Sequence, residues 1–410
     1  MRWQNNNYRP TLELLEKRDL PASAMLSGGY LYITSTASHE FVTVAEANGQ
    51  LGVANTWINA GGQWVATVSA AQVKTVAVYA YGGGDVINLR PSAATTVTTN
   101  SYIVVYGGNN QVFGGAGQNY IAAGDSAGYN QFYGWTNTDY LAAGSPTDQL
   151  TGGGGFDWFY QPFNPWNAFV NGEHVSDVKQ GYSPSCQTCA ALAEAVDQGF
   201  NFGNSMRYLG NSEYDISLYG GAQHETVNFN GWYNSSEPQP TVSGEFWTVL
   251  MYRARLESLG IDPSQSYADW QWDQANQQMG GRIYSVGDAL YAFTGQQTVY
   301  GSMNELTPVG VANALGQGQF VIVSSDPGSG ITSDGIVRDH AYAVLNCYYH
   351  NGQVLVQMYN PWAFDSMYGI TIESLAGGTP QNLGFITLTW QQFVNSANFQ
   401  GFTWAAANKN

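Results

Sequence analysis

Gln180-Gly181-Tyr182-Ser183-Pro184-Ser185-Cys186-Gln187-Thr188-Cys189-Ala190-Ala191-Leu192-Ala193 decides how the second half of this chain is read. Gly, Pro and Ser ahead of Cys186 make a loop, and the Ala-rich run behind it makes a helix. Cys186 therefore stands at the mouth of a helix, where the positive end of the macrodipole favours thiolate. Ser183 or Ser185 is placed to cap the free N–H groups of the first turn. Gln180, on the same loop, offers a side-chain amide that complements the Cys186 N–H as a donor to an oxyanion.

A nucleophilic thiol needs a base and a group to aim that base. Asp339-His340-Ala341-Tyr342 and Asn360-Pro361-Trp362 supply both residue types. Tyr349-His350-Asn351-Gly352-Gln353 is a hairpin signal between two apolar runs. His340 lies eleven residues before Asn351, and Asn360 eight after Gly352. Both fall toward the open end of one hairpin, with an offset left for a bulge or a longer loop. An Asn carbonyl beside His accepts from its ring N–H and fixes its tautomer.

The pattern Gln-Gly-x-x-x-x-Cys-x-x-x-Ala-Ala-x-Ala, then His-Ala-Tyr-x-Val, then Asn-Pro-Trp, resembles the calpain family of papain-like cysteine proteases. Glu245-Phe246-Trp247, Gly280-Gly281 onward to Thr294-Gly295, and Leu388-Thr389-Trp390-Gln391-Gln392-Phe393 resemble further landmarks of that family, over roughly residues 175–405. The resemblance implies Cys186 as nucleophile, His340 as base and then acid, and Asn360 as the orienting residue. It implies Gln180 in the oxyanion hole and Trp362 shielding the His–Asn contact. Departures stand at Pro184-Ser185 and Gln187, at Asp339 where the family has Gly, and at Ala363. An inward-pointing Asp339 is expected to raise the His340 pKa. Cys186-Gln187-Thr188-Cys189 also has redox Cys-x-x-Cys spacing, but no thioredoxin-like βαβ context surrounds it. The cysteines and histidines lack zinc-ligand spacing.

Upstream, a different texture rules. Residues 27–90 alternate polar and apolar between turn signals such as Asn48-Gly49 and Gly61-Gly62, as paired strands do. Asn110, Asn119, Asn130, Asp139, Asp148 and Asp157 then recur at steps of nine or eleven. Two residues after each stands an apolar side chain: Val112, Ile121, Phe132, Leu141, Leu150 and Phe159. This beat is the signature of a parallel β-roll. Gly152-Gly153-Gly154-Gly155-Phe156-Asp157 resembles the calcium-binding nonapeptide repeat of secreted bacterial proteins. That resemblance makes Asp139 and Asp157, one coil apart, the candidate Ca²⁺ ligands; the other reading gives the same Asn and Asp residues turn chemistry alone.

The 410 residues carry a net charge of −17 with only 10% charged residues, through scarcity of Lys and Arg. That leaves no basic footprint for nucleic acid. Cys186, Cys189 and Cys347 make no disulfide framework. No apolar run is long enough to span a membrane, and residues 1–25 lack a secretory apolar stretch. Leu12-Glu13-Leu14-Leu15-Glu16-Lys17-Arg18 with Leu20-Pro21 reads as a short helix and resembles a motif of envelope or exported bacterial proteins.

The expected organisation is an N-terminal targeting segment (1–25), a β-rich region with the roll (26–160), a linker (161–174) and an α+β papain-like domain of calpain type (175–407). The expected activity is endopeptidase cleavage of protein or peptide substrates through a Cys-His-Asn triad, outside the cell or at its envelope. No cofactor enters that chemistry; Ca²⁺ is expected in the roll or as an activator. Two readings from other classes are a non-catalytic peptide-binding surface protein and a calcium-dependent adhesion or secretion module carried by the roll.

Overall fold

Inward-facing Val, Ile, Leu and Phe at every second strand position build the first half of the molecule. A computed structural model describes residues 22–170, 172–181, 183–240, 245–263, 285–332, 334–362, 384–396 and 399–405. The chain forms two compact units, Met1–Gly155 and Phe156–Asn410.

In the first unit, strands Tyr30–Ser35, Thr75–Ala80, Asn100–Val105, Asn119–Ala123 and Tyr140–Ala142 run parallel in one sheet. Their register aligns Ile33, Val78, Ile103, Ile121 and Leu141, all fully buried. A second parallel set aligns Val42, Ile87, Val112, Phe132 and Leu150. The chain alternates between the two sheets, so the expected beat of short strands and turns is a parallel coil with one apolar interior. Antiparallel hairpins precede it, turning at Gly28-Gly29, Asn48-Gly49 and Gly61-Gly62. Asn48 and Gly49 both take positive φ, 51° and 70°, which is what a tight primed turn requires.

The recurring Asn and Asp side chains turn inward and tie one coil to the next. The Asn110 N–H and amide both donate to Asn130 Oδ1 (3.1 and 2.9 Å), and those of Asn130 both donate to Asp148 Oδ1 (2.8 and 3.1 Å). Turn N–H groups that would otherwise be buried without partners are satisfied this way.

The second unit takes in the last beat of the repeat: Trp158–Tyr160 pairs antiparallel with Trp232–Asn234. The stretch 161–174 has no regular strand, yet it is packed. Phe163 stacks edge-on against Phe229 and Phe246, and Pro165 O accepts from the Tyr214 hydroxyl. Helices Cys186–Asp197, Trp247–Ser258, Val286–Thr294 and Pro308–Gly316 accompany a six-stranded antiparallel sheet. In that sheet Phe320–Ser325 pairs with Ala341–His350, which pairs with Gln353–Tyr359. Val321, Val323, Tyr342, Val344 and Met358 form its core.

Two differences from the sequence reading have physical causes. Arg253 and Arg255 give the sequence of the helix Trp247–Ser258 an amphipathic look, but every residue from Trp247 to Leu256 is buried. Both guanidinium groups are taken inward: Arg253 pairs with the buried Glu237, and Arg255 donates to the half-buried Tyr219 hydroxyl at 2.8 Å. Strands Met206–Gly210, Glu213–Leu218 and Gln223–Asn228 form a further sheet in a stretch assigned no strands. Residues 1–21, Gly280-Gly281 and Ala363 lie outside the described residues, and with them the N-terminal helix and two of the sequence landmarks. Among the described residues no helix is long and apolar enough to cross a membrane.

Candidate active site

The hairpin delivers His340 and Asn360 to one place. Its turn, Asn351 (φ 48°) and Gly352 (φ 84°), sets His350 opposite Gln353. A bulge between Val344 and Asn346 then shifts the register by one residue, and Ala343 faces Tyr359. That bulge absorbs part of the offset counted in the sequence. His340 Nε2 lies 2.8 Å from Asn360 Oδ1, with both residues buried.

Each partner is held by its backbone. The His340 N–H donates to Ser325 Oγ (2.9 Å), and the Ser325 N–H donates to His340 O (2.9 Å). The Asn360 N–H donates to Gly384 O at 2.7 Å. A Cβ on Gly384 would meet the Tyr359 ring at 2.7 Å and Asn360 O at 2.8 Å, so a side chain there would displace Asn360. The Trp362 N–H donates to Asn360 Oδ1 (3.0 Å), and the Trp362 ring centre is 4.8 Å from that of His340. The expected shielding by Trp362 has its geometry.

Cys186 opens its helix, 5% exposed. Ser185 is the N-cap, but neither it nor Ser183 caps the helix through its side chain. With φ −102° and ψ 19°, Ser185 makes no capping bond, and its hydroxyl receives that of Ser183 at 2.9 Å. The first-turn N–H groups are therefore left facing the thiol end. The other end of the helix is tied to the sheet by Glu194, whose Oε1 accepts from the Val321 N–H at 2.8 Å. Glu194 is fully buried, which pushes its carboxyl well above the usual range.

Burial pushes the Cys186 thiol up to about 12. The N–H groups of Ala341, Gln187 and Cys186 itself oppose that rise. Ala341 follows His340 directly, so the strand carrying the histidine also supports the sulfur. Burial pulls the His340 imidazole down to about 4, against the bond to Asn360. Both shifts favour the uncharged pair. Asp339 acts on Cys186, raising its pKa, while the causes acting on His340 are burial and Asn360. The expectation that Asp339 raises the histidine is not met: its charge opposes the thiolate instead.

Gln180 is 4% exposed, and its main-chain N–H donates to Pro361 O (2.8 Å), which fixes this loop to the Asn360 segment. Its Nε2 donates to Ser183 O (2.7 Å). An amide nitrogen carries two hydrogens, so a second N–H is present beyond the bond to Ser183.

Sequence reasoning missed the floor under this loop. Arg253 donates to both Glu237 carboxylate oxygens, 2.9 Å for the Nη2 bond, and also to Asn228 O and Trp232 O. The segment so anchored receives the Ser183 hydroxyl at Ser236 O (2.7 Å). It also presses on Gly181, where a Cβ would meet Glu237 O at 2.2 Å and Ser235 O at 2.4 Å. A rare Arg in a charge-poor apolar helix was the available signal.

Cys189 is buried one turn on, with Ser185 Oγ 3.8 Å from its sulfur; Cys347 contacts Pro308 O at 3.5 Å, and all three thiols are free. His224 pairs with Asp215 at 2.9 Å on the exposed sheet.

The two candidate calcium ligands are both buried. Asp139, in the first unit, is fully buried. Its Oδ1 accepts from the Asn119 N–H (2.9 Å) and amide (2.8 Å), and its Oδ2 from the Trp135 N–H (2.7 Å). Asp157, in the second unit, is also buried; its N–H donates to Ser235 Oγ and its carbonyl accepts from the Ser235 N–H. Calcium takes six to eight oxygen ligands, and the Asp139 carboxylate already receives three N–H donors, as turn chemistry requires. Among the described residues no three His, Cys, Asp or Glu side chains gather as a metal site.

No family model matches the chain, and no curated protein matches it.

Proposed function

We propose that the second unit is a cysteine endopeptidase of calpain-like, papain-type design. The observation that carries this reading is the 2.8 Å contact of His340 Nε2 with Asn360 Oδ1, beside a thiol at a helix mouth. With Nε2–H donated to Asn360, Nδ1 is the nitrogen left to accept the thiol proton. In the buried resting site thiol and imidazole are both neutral, so the proton passes to Nδ1 as sulfur attacks the peptide carbonyl. This replaces a standing thiolate–imidazolium pair with one formed during attack. The Cys186 N–H and the remaining Gln180 N–H receive the oxyanion. His340 then protonates the leaving amine; water attacks the thioester carbonyl, giving up a proton to His340, which returns it to the departing sulfur as the thiol. Protein or peptide substrates follow from this chemistry, and no cofactor enters it.

Cys186→Ala tests the assignment. It should abolish hydrolysis of a casein or mixed-peptide substrate while leaving the melting temperature within the range of a small core change. Undiminished hydrolysis by that variant would overturn the reading.

The burial of Cys186 favours a second reading, a peptide-binding domain without catalysis. The two part on labelling with a peptidyl vinyl sulfone at neutral pH. Rapid modification at Cys186 alone supports the enzyme; a slow rate matching that of Cys347 supports the binder.

A further inference from the structure

The mixed sheet that includes Ser23–Ser27 has a face with unusual chemistry. Its eight strands within the first unit contain no Asp, Glu, Lys or Arg, in a chain of net charge −17. Their outward positions are rich in tyrosine. The register lines up one row across all eight strands: Trp64, Asn59, Met25, Tyr32, Ala77, Tyr102, Tyr120 and Tyr140, with the small, buried Ala77 seated between the tyrosines of its two neighbours. Trp64 is 63% exposed, Met25 47% and Tyr102 39%. Seven strand spacings of about 4.8 Å make this row about 33 Å long.

Two cross-strand pairs of rings are stacked, while Tyr79 and Tyr102 tilt at 54° with centres 6.2 Å apart. Tyr102 and Tyr120 lie 5.0 Å apart with planes 6° from parallel, and Tyr81 and Tyr106 lie 4.8 Å apart at 11°. Stacking hides the ring faces and turns ring edges and phenol groups outward. The result is a surface without charged side chains on its strands, with phenol groups of Tyr102, Tyr120 and Tyr140 on three adjacent strands and that of Tyr32 beyond Ala77.

We propose that this face docks an uncharged polysaccharide. A charged partner finds no counter-charge on these strands. A purely apolar partner would bury phenol groups without hydrogen bonds, which is costly. A neutral polysaccharide matches both properties, because it carries no charge and offers hydroxyl donors and acceptors at every repeat. The length of the row selects a polymer over a single sugar.

The test is co-sedimentation of the full chain with insoluble cellulose, chitin and unbranched β-1,3-glucan. Retention on at least one is expected, undiminished between about 50 and 500 mM salt because no ion pairs are involved. Tyr102→Ser combined with Tyr120→Ser should weaken retention about tenfold, with circular dichroism and melting confirming the fold. Tyr102→Phe with Tyr120→Phe keeps the stack, removes the hydroxyls and should also weaken retention, which covers a Ser variant that fails to fold. Gln111→Ala with Gln131→Ala, on the other sheet, should leave retention unchanged. The proposal is overturned by no retention on any of the three polymers, or by equal retention in the tyrosine variants. Retention only on a charged polysaccharide such as alginate also overturns it. So does a concentration-dependent dimer in sedimentation equilibrium that the tyrosine variants abolish, since the face would then belong to a second copy of this chain.

Discussion

His340 Nε2 meets Asn360 Oδ1 at 2.8 Å across the open end of a hairpin whose turn is about ten residues from either side chain. The contact fixes the ring by one nitrogen and leaves the other to the thiol. Asn360→Ala removes that restraint and one acceptor of the Trp362 N–H. On the proposed chemistry kcat should fall about a hundredfold with KM little changed, as expected for aiming a general base. A rise in KM at constant kcat would make Asn360 a substrate-binding residue instead.

Asp339 holds the residue before His340 at φ 53°, in the left-handed region. Glycine enters that region without the Cβ penalty, so Asp339→Gly should stabilise by up to about 1 kcal/mol. It should also quicken alkylation of Cys186, because the charge that raises its pKa is gone. Urea unfolding and iodoacetamide kinetics read the two effects separately. A variant that is less stable and no more reactive would show that Asp339 holds the turn by contacts its φ does not reveal.

Much of this site was legible because its signals are local. Asn351-Gly352 marks the hairpin by backbone conformation alone, and counting outward from it places His340 and Asn360 together. The Ala-rich run after Cys186 marks the helix for similar reasons. What resisted reading depends on partners far away in sequence. Nothing near Arg253 announces Glu237, and nothing near Gly181 announces the carbonyls that exclude a side chain there. Glu213-Tyr214-Asp215-Ile216-Ser217-Leu218 is different: its buried positions alternate as a half-exposed strand requires, so that signal was present and was passed over. In the first unit the nine-residue beat gave the parallel coil, while the inward turn of its Asn and Asp side chains needed the register of neighbouring coils.

His340 and Cys186, both buried, act at opposite ends of the pH scale. His340 titrates near 4 when folded against an ordinary 6.5, so between these values the unfolded chain binds a proton that the native state refuses. Its contribution to stability is present above pH 6.5 and is lost as pH falls toward 4. Cys186 titrates near 12 against an ordinary 9.0, so the native state keeps a proton that the unfolded chain loses, and stability falls as pH rises through that window. His340→Gln should flatten the acid limb of a denaturant-midpoint profile, and Cys186→Ala the alkaline limb. Unchanged limbs in both variants would place these groups in contact with water.

Arg253→Leu leaves the Glu237 carboxylate buried without its guanidinium, which should cost about 3–5 kcal/mol. Replacing both, as Arg253→Met with Glu237→Leu, should recover part of that loss. Gly181→Ala probes the same floor from the loop: its Cβ meets backbone carbonyls at 2.2 and 2.4 Å, so the melting temperature should fall and kcat/KM with it. Full activity in Gly181→Ala would mean that the loop has room to move, and that the Ser235–Glu237 segment does not position it.

Calcium provides the sharpest check on the coil. The Asp139 carboxylate accepts from Asn119 and Trp135 within a buried turn, so its role is to close a ladder of N–H groups. Asp139→Asn turns one of those acceptors into a donor facing an N–H, which should cost about 1–3 kcal/mol. The loss should be the same in excess calcium and in EDTA. A ligand that binds only the folded state raises its melting temperature with concentration. Calcium-dependent stabilisation of the full chain that vanishes in Asp139→Asn would therefore show a cation at this turn, and the ladder would have to open its carboxylate to hold it.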